Sequence, residues 1–215
     1  MAKSSNIKNL RRNYSLKELT KKKVDPDPFN QFSHWFNELM KLEVKEPNAM
    51  ILATASSDGI PSVRTVLLKK FDQEGFVFYS NYESKKAADL SENPNAEILF
   101  MWLELERQVR IKGKVEKVSE KESEEYFHSR PTNSQIGAWA SKQSSVIPDR
   151  TFLERKFEET AEKYKDGRIP LPPFWGGYRL KPVGFEFWQG RDSRLHDRIS
   201  YRKKNNTWEI VRLSP

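Results

Sequence analysis

Apolar positions along the chain follow two different periods. Between residues 28 and 42, Phe29, Phe32, Phe36 and Met40 recur at helical spacing, and Trp35 and Leu39 widen the stripe. This predicts a helix with one buried side. The middle of the chain breaks into short apolar runs bounded by turn residues. Residues 49–55, 62–71, 76–80, 96–105 and 108–118 read as strands, with turns at Ser57-Asp58-Gly59 and at 72–75. Val109, Ile111 and Val115 alternate with Arg110, Lys112 and Lys114, so one face of that strand is wet. A last pair, 184–188 and 199–211, contains a turn at Asn205-Asn206. At least six strands joined by short turns predict a closed barrel, because closure removes exposed edges.

Helices interrupt the strands. One spans 84–93. A second opens with a capping box, Ser119 with Glu122, and runs to Ser129, where Pro131 ends it. A third covers 133–140. The fourth, 149–165, is strongly charged, with Phe152, Phe157, Ala161 and Tyr164 as its buried side. The expected fold class is mainly β with peripheral helices (α+β). Residues 1–25 read as a flexible polar arm and 26–215 as a single domain.

Composition narrows the chemistry. Hydrophobic residues make up 36% of the 215, and charged residues 32%; the core therefore leans on 13 Phe, 7 Tyr and 6 Trp. No apolar run approaches a membrane span, and the polar, basic N-terminus carries no apolar signal region, so a cytoplasmic protein is expected. The absence of Cys excludes disulfides and thiolate nucleophiles, and with His34, His128 and His196 as the only histidines no metal site is expected. A net charge of +8 favours anionic partners.

No glycine-rich phosphate loop is present, so a phosphate must be held by side chains and helix ends. Lys85 and Lys86 sit in the first turn of a helix, where the dipole disfavours cations unless an anion docks there. Two solvated lysines are the plainer alternative. Arg64 and Lys69 lie an odd number of residues apart on one predicted strand, which points them to opposite faces and toward two different anions; an ordinary wet strand face is the alternative. Tyr126 and Arg130 are four apart at a helix end and Ser134 opens the next helix, the makings of a phosphate clamp or of a plain helix corner with Tyr126 in the core. If 194–198 is extended, Arg194, His196 and Arg198 share a face with no acid between them and would repel one another unless an anion or polar ligand sits there; a purely structural histidine is the alternative.

The stretches Tyr126-Phe127-His128-Ser129-Arg130-Pro131, Ser134-Gln135-Ile136-Gly137, Ser141-Lys142-Gln143-Ser144-Ser145 with Val146-Ile147-Pro148-Asp149-Arg150, Glu186-Phe187-Trp188-Gln189-Gly190, Arg194-Leu195-His196-Asp197-Arg198 and the ending Arg212-Leu213-Ser214-Pro215 occur in that order. Together they resemble the pyridoxine (pyridoxamine) 5'-phosphate oxidase family, over about 25–215. The resemblance implies a homodimeric split β-barrel with one FMN per subunit in clefts at the dimer interface. It implies oxidation of pyridoxine or pyridoxamine 5'-phosphate, a small phosphorylated pyridine, to pyridoxal 5'-phosphate. O2 would be the acceptor, with release of hydrogen peroxide and, from the amine, ammonia. By matching position, Arg64, Thr65, Val66, Leu67, Tyr79, Ser80, Lys85, Lys86, Gln108, Gln143, Ser144, Trp188 and Arg198 fall to FMN. Lys69, Tyr126, Arg130 and Ser134 fall to the substrate phosphate, and Arg194, Leu195 and His196 to the substrate ring, with Arg194 and His196 as the catalytic pair. Lys85 stands where the family commonly has Arg, and lacks its bidentate fork. Tyr79-Ser80 is a conservative variant of a Phe-Thr type pair. A flavin-binding split barrel without this catalysis is one rival reading. A basic nucleic-acid module is the other, and basic residues scattered among 30 acids with no reader motif argue against it.

Overall fold

The computed structural model describes residues 9–10, 13–205 and 207–215. The chain forms α1 (Pro28–Met40), β1 (Ala49–Ala55), β2 (Pro61–Leu67), β3 (Lys70–Asp72), β4 (Gly75–Asn81), α2 (Lys85–Glu92), β5 (Asn95–Trp102), β6 (Arg107–Lys117), α3 (Glu120–Ser129), α4 (Thr132–Ala140), α5 (Arg150–Lys163), β7 (Trp175–Gln189), β8 (Asp197–Lys204) and β9 (Thr207–Leu213). It divides into two compact units. One takes Asn48–Ile98 and Lys112–Pro182; the other takes Leu99–Ile111, Val183–Pro215 and the described residues up to Pro47.

The strands form one nine-stranded sheet that follows the order β2-β1-β5-β6-β7-β4-β3, with β8 on β7 and β9 on β8. The order has two ends, so hydrogen bonding does not close the barrel that the short turns suggested. The ends are blunted instead. β3 is three residues long, and β2 opens on Pro61, which has no N–H to offer a further strand. β2 also stops at Leu67 rather than running on to Phe71: Leu68 still donates to the Asn48 carbonyl beside β1, but the next N–H, that of Lys69, goes to the Val77 carbonyl of β4, so the chain changes partners there. At the β3–β4 turn Gly75 has φ +140, and a Cβ there would sit 2.1 Å from the Leu180 carbonyl oxygen. No other residue fits. Phe127, Ile136, Ile169 and Trp175 form a core cluster, with Phe157, Ala161 and Tyr164 of the α5 segment packed on it.

In the other unit α1 starts at an Asp27 cap with Pro28 in its first turn. Phe29, Phe32, Trp35 and Leu39 are its buried face, while Met40 turns outward and is 54% exposed. Phe29 meets Phe185, Trp35 meets Phe187 and Phe32 meets Phe100, with ring centroids 5.1–5.3 Å apart. β7 pairs β8, and β8 pairs β9. Of the Asn205-Asn206 turn, Asn205 has φ 54 and Asn206 lies outside the described residues. Residues 13–25 are tied to this unit: Ser15 and Leu16 donate backbone N–H groups to Glu106, Leu19 to Asp197, and the Tyr201 hydroxyl donates to the Asp25 carbonyl. No helix among the described residues is long and apolar enough to cross a membrane.

Candidate active site

A cavity of about 960 Å³ lies in the first unit, walled by β2, the end of β4, the first turn of α2, the α3–α4 corner and residues 141–144. Its lining includes Arg64, Thr65, Val66, Leu67, Lys69, Tyr79, Ser80, Lys85, Lys86, Tyr126, Arg130, Ser134, Gln143 and Ser144. Five of these are cations, and among the described residues no carboxylate lines the cavity. Such a surface is electrostatically costly without an anion.

The cations form two groups. At the α2 end, Lys86 is 8% exposed and donates to Ser80 Oγ at 2.9 Å, Ser84 Oγ at 3.0 Å and Gln143 Oε1 at 2.7 Å. All three partners are neutral. Burial, and then the nearby Arg64 charge, push the Lys86 pKa down to about 8. Arg64 donates to the Leu52 and Ser62 carbonyls, to Thr54 Oγ1 at 2.7 Å and to Ser62 Oγ at 2.6 Å. Behind it, Asp89 accepts from Thr54 and Lys85 and lies 3.7 Å from Arg64. Burial opposes the ionisation of Asp89, but the hydrogen bonds from Lys85 and Thr54 and the two cations outweigh it and hold the carboxyl below its usual range. Ser84, the residue before α2, makes no side-chain cap, and its carbonyl accepts from the Ala87 and Ala88 N–H groups. Ser144 adopts φ 72, and its hydroxyl accepts from the Lys85 N–H at 3.3 Å.

At the α3–α4 corner, the Arg130 guanidinium lies over the Trp175 ring at 4.7 Å, and its buried Nη1 has no hydrogen-bond partner. Tyr126 stacks on Tyr79 at 3.8 Å, and Lys69 lies 6.0 Å from the Tyr126 ring. α4 begins after Pro131 with no side-chain cap, and Ser134 lies in its first turn. Arg64 and Lys69 therefore share one cavity. The opposite-face expectation fails because β2 ends at Leu67 and Lys69 stands between two strands rather than within one.

Gln108, Trp188, Arg194, Leu195, His196 and Arg198 belong to the other unit and are not part of this lining. Gln108 is half-buried on β6. Residues 194–198 are not one extended run: Asp192–Arg194 is a 3₁₀ turn with Ser193 at φ 56 and Arg194 at φ 60, and β8 begins at Asp197. Nor is the face free of acid, since Arg198 pairs with Glu186 at 2.8 and 3.1 Å. Arg194 and Leu195 are exposed. His196 lies against Trp188, with centroids 4.6 Å apart, and its Nδ1 accepts the Arg191 N–H at 3.1 Å. Burial, then the Arg194 charge, lower the His196 pKa, so the ring is neutral at pH 7 with its proton on Nε2.

Two residues of the site carried no sequence signal. Trp175 lies beneath Arg130 but sits in a run without alternation, and Asp89 is an ordinary helical acid until its burial at 1% is known.

Residues 36–164 match the family model described as pyridoxamine 5'-phosphate oxidase, and residues 175–215 match a pyridoxine 5'-phosphate oxidase C-terminal dimerisation region. A pyridoxine/pyridoxamine 5'-phosphate oxidase of Rippkaea orientalis is 58% identical over 96% of this chain and 98% of its own length. Among solved structures, PhzG of Burkholderia lata, in complex with tetrahydrophenazine-1-carboxylic acid, has a TM-score of 0.87 at 30% identity, covering 94% of this chain and all of that one. A pyridoxamine 5'-phosphate oxidase-related, FMN-binding protein of Nostoc punctiforme has a TM-score of 0.69 at 17% identity, over 93% of this chain and all of its own, a likeness of fold alone. The split-barrel fold, the dimerisation region and near full-length identity to named oxidases agree: the chain belongs to the pyridoxamine 5'-phosphate oxidase family.

Proposed function

We propose that the cavity binds FMN with its phosphate at the α2 end, and pyridoxine or pyridoxamine 5'-phosphate with its phosphate at the α3–α4 corner. One observation carries this reading. Among the described residues the lining holds two cationic groups and no acid, and each group keeps a buried nitrogen suited to an anion: Lys86, bonded to neutral oxygens, and Arg130 Nη1, bonded to none of them. Arg64, Lys85, Lys86, Ser80, Gln143 and Ser144 would hold the cofactor phosphate, with Thr65, Val66, Leu67 and Tyr79 along the rest of it. Lys69, Tyr126, Arg130 and Ser134 would hold the substrate phosphate, so that binding energy far from the reacting carbon orients it.

FMN, when bound, supplies the two-electron oxidation and passes the electrons to O2. The alcohol and O2 then give pyridoxal 5'-phosphate and hydrogen peroxide; the amine, O2 and water give the same two products plus ammonia. Gln108, Trp188 and Arg198 would complete the cofactor cleft at the dimer interface, with Arg194, Leu195 and His196 on the substrate ring. A neutral His196 offers Nε2–H as a donor, and Arg194 offers fixed positive charge for electron density developing on the ring.

The test is anaerobic mixing of the FMN-loaded protein with pyridoxine 5'-phosphate and, separately, with unphosphorylated pyridoxine. The phosphate ester should bleach the flavin absorbance at concentrations where pyridoxine does not. Equal bleaching by both would remove the phosphate anchor from the account.

A further inference from the structure

We propose that Asp89 is a positioning residue for the cofactor-phosphate end of the cavity, holding Arg64 and Lys85 in place for the ester. The inference rests on the assignment of that end to FMN. Asp89 does not line the cavity, yet both cations it serves do. Its carboxylate is 1% exposed and divides its oxygens between two elements. Oδ1 takes the Lys85 ammonium from one turn back on α2. Oδ2 takes the Thr54 hydroxyl of β1 at 2.7 Å and lies 3.7 Å from Arg64 Nη2 of β2. The same Thr54 oxygen accepts from Arg64 Nη1 at 2.7 Å. A strand arginine, a strand hydroxyl, a buried acid and a helix lysine thus form one connected chain.

The physical need is clear from charge and entropy. Arg64, Lys85 and Lys86 crowd one end of a cavity without a carboxylate of its own, and like charges there repel until an anion arrives. Lys85 is otherwise solvent-facing, with a side-chain exposure of 62%, and fixing such a side chain costs rotamer entropy. A counter-charge behind the site meets both demands before the ligand binds. Lys86 needs no such partner, because Ser80, Ser84 and Gln143 already fix it.

The experiment compares FMN with riboflavin, which lacks the phosphate, by quenching of flavin fluorescence in the full-length protein and its Asp89→Asn variant. Asparagine keeps the size and loses the charge. FMN affinity should fall ~10-fold, the weight of one charge-assisted hydrogen bond, while riboflavin affinity stays within about twofold. Thr54→Val, which removes the hydroxyl bridging Asp89 and Arg64 and leaves only their direct 3.7 Å ion pair, should shift the FMN-to-riboflavin ratio the same way by ~3-fold. Unchanged or tighter FMN binding in Asp89→Asn would overturn the proposal, and so would equal loss of both flavins, which marks a merely structural acid. Should Asp89→Asn fail to fold, Thr54→Val decides alone, and an unchanged ratio sinks the idea. A parent protein that binds FMN no better than riboflavin would instead refute the assignment of the α2 end.

Discussion

The two ends of the cavity, each proposed to hold an anion, are built in opposite ways. At the α2 end every cation is tied into the protein: Arg64 to Thr54 and Ser62, Lys85 to Asp89, Lys86 to Ser80, Ser84 and Gln143. At the α3–α4 corner the cations rest on aromatic faces, Arg130 over Trp175 and Lys69 near Tyr126, and Arg130 keeps a buried nitrogen unbonded. A bonded network loses little freedom when its ligand binds and suits a resident group. Ring-supported cations keep their hydrogen-bonding capacity for a group that must enter and leave each turnover. The contrast supports the proposed assignment of the α2 end to the cofactor and the corner to the substrate.

Substitutions at the two ends should therefore fail differently. Arg130→Ala should lower kcat/KM by ~100-fold, the loss of a bidentate charged contact, while the purified protein keeps its flavin. Loss of flavin instead would merge the two ends into one. Lys86→Met should weaken FMN binding by ~30-fold in a fluorescence titration and leave KM for substrate nearly unchanged in FMN-saturated enzyme. The same change relieves the burial of a charge, so the free protein should melt about 2–4 °C higher for each kcal/mol recovered.

pH probes the same lysine. With a pKa near 8 in the folded protein, against 10.5 for an ordinary lysine, Lys86 loses its proton first in the folded state. Between these values the unfolded chain binds more protons, so stability rises with pH. The penalty of burying the charge is complete below pH 8 and fades as pH rises to 10.5. FMN affinity should run the other way, flat with respect to this group below pH 8 and weaker by ~10-fold at pH 9. A pH-independent affinity across that range would detach Lys86 from the phosphate. Trp175→Leu should have the smallest effect, raising KM by ~3-fold through loss of the ring beneath Arg130, with FMN affinity unmoved.

Legibility in the sequence followed local rules. The Ser119 cap and the stripe of Phe29, Phe32, Phe36 and Met40, widened by Trp35 and Leu39, are short-range signals, and those helices appear where such signals put them, with Met40 turned outward. The first half of β7 escaped, because Trp175–Leu180 is buried on both faces and so lacks alternation, and it contains Gly176 and Gly177. Lys69 was misdirected by an assumed continuous strand, and Arg194, His196 and Arg198 by an assumed extended segment that two left-handed residues interrupt. Side chains that line the cavity were found through chemistry that announces itself, such as paired lysines at a helix start. Asp89 and Trp175 act from behind, and only three-dimensional contacts reveal them.

The central claim is that one chain holds two phosphate esters at two separately built places. ³¹P NMR of the protein loaded with FMN and pyridoxal 5'-phosphate tests it most directly. Two bound resonances should appear, one perturbed by Lys86→Met alone and the other by Arg130→Ala alone. A single bound resonance, or two that respond together to either substitution, would contradict the account.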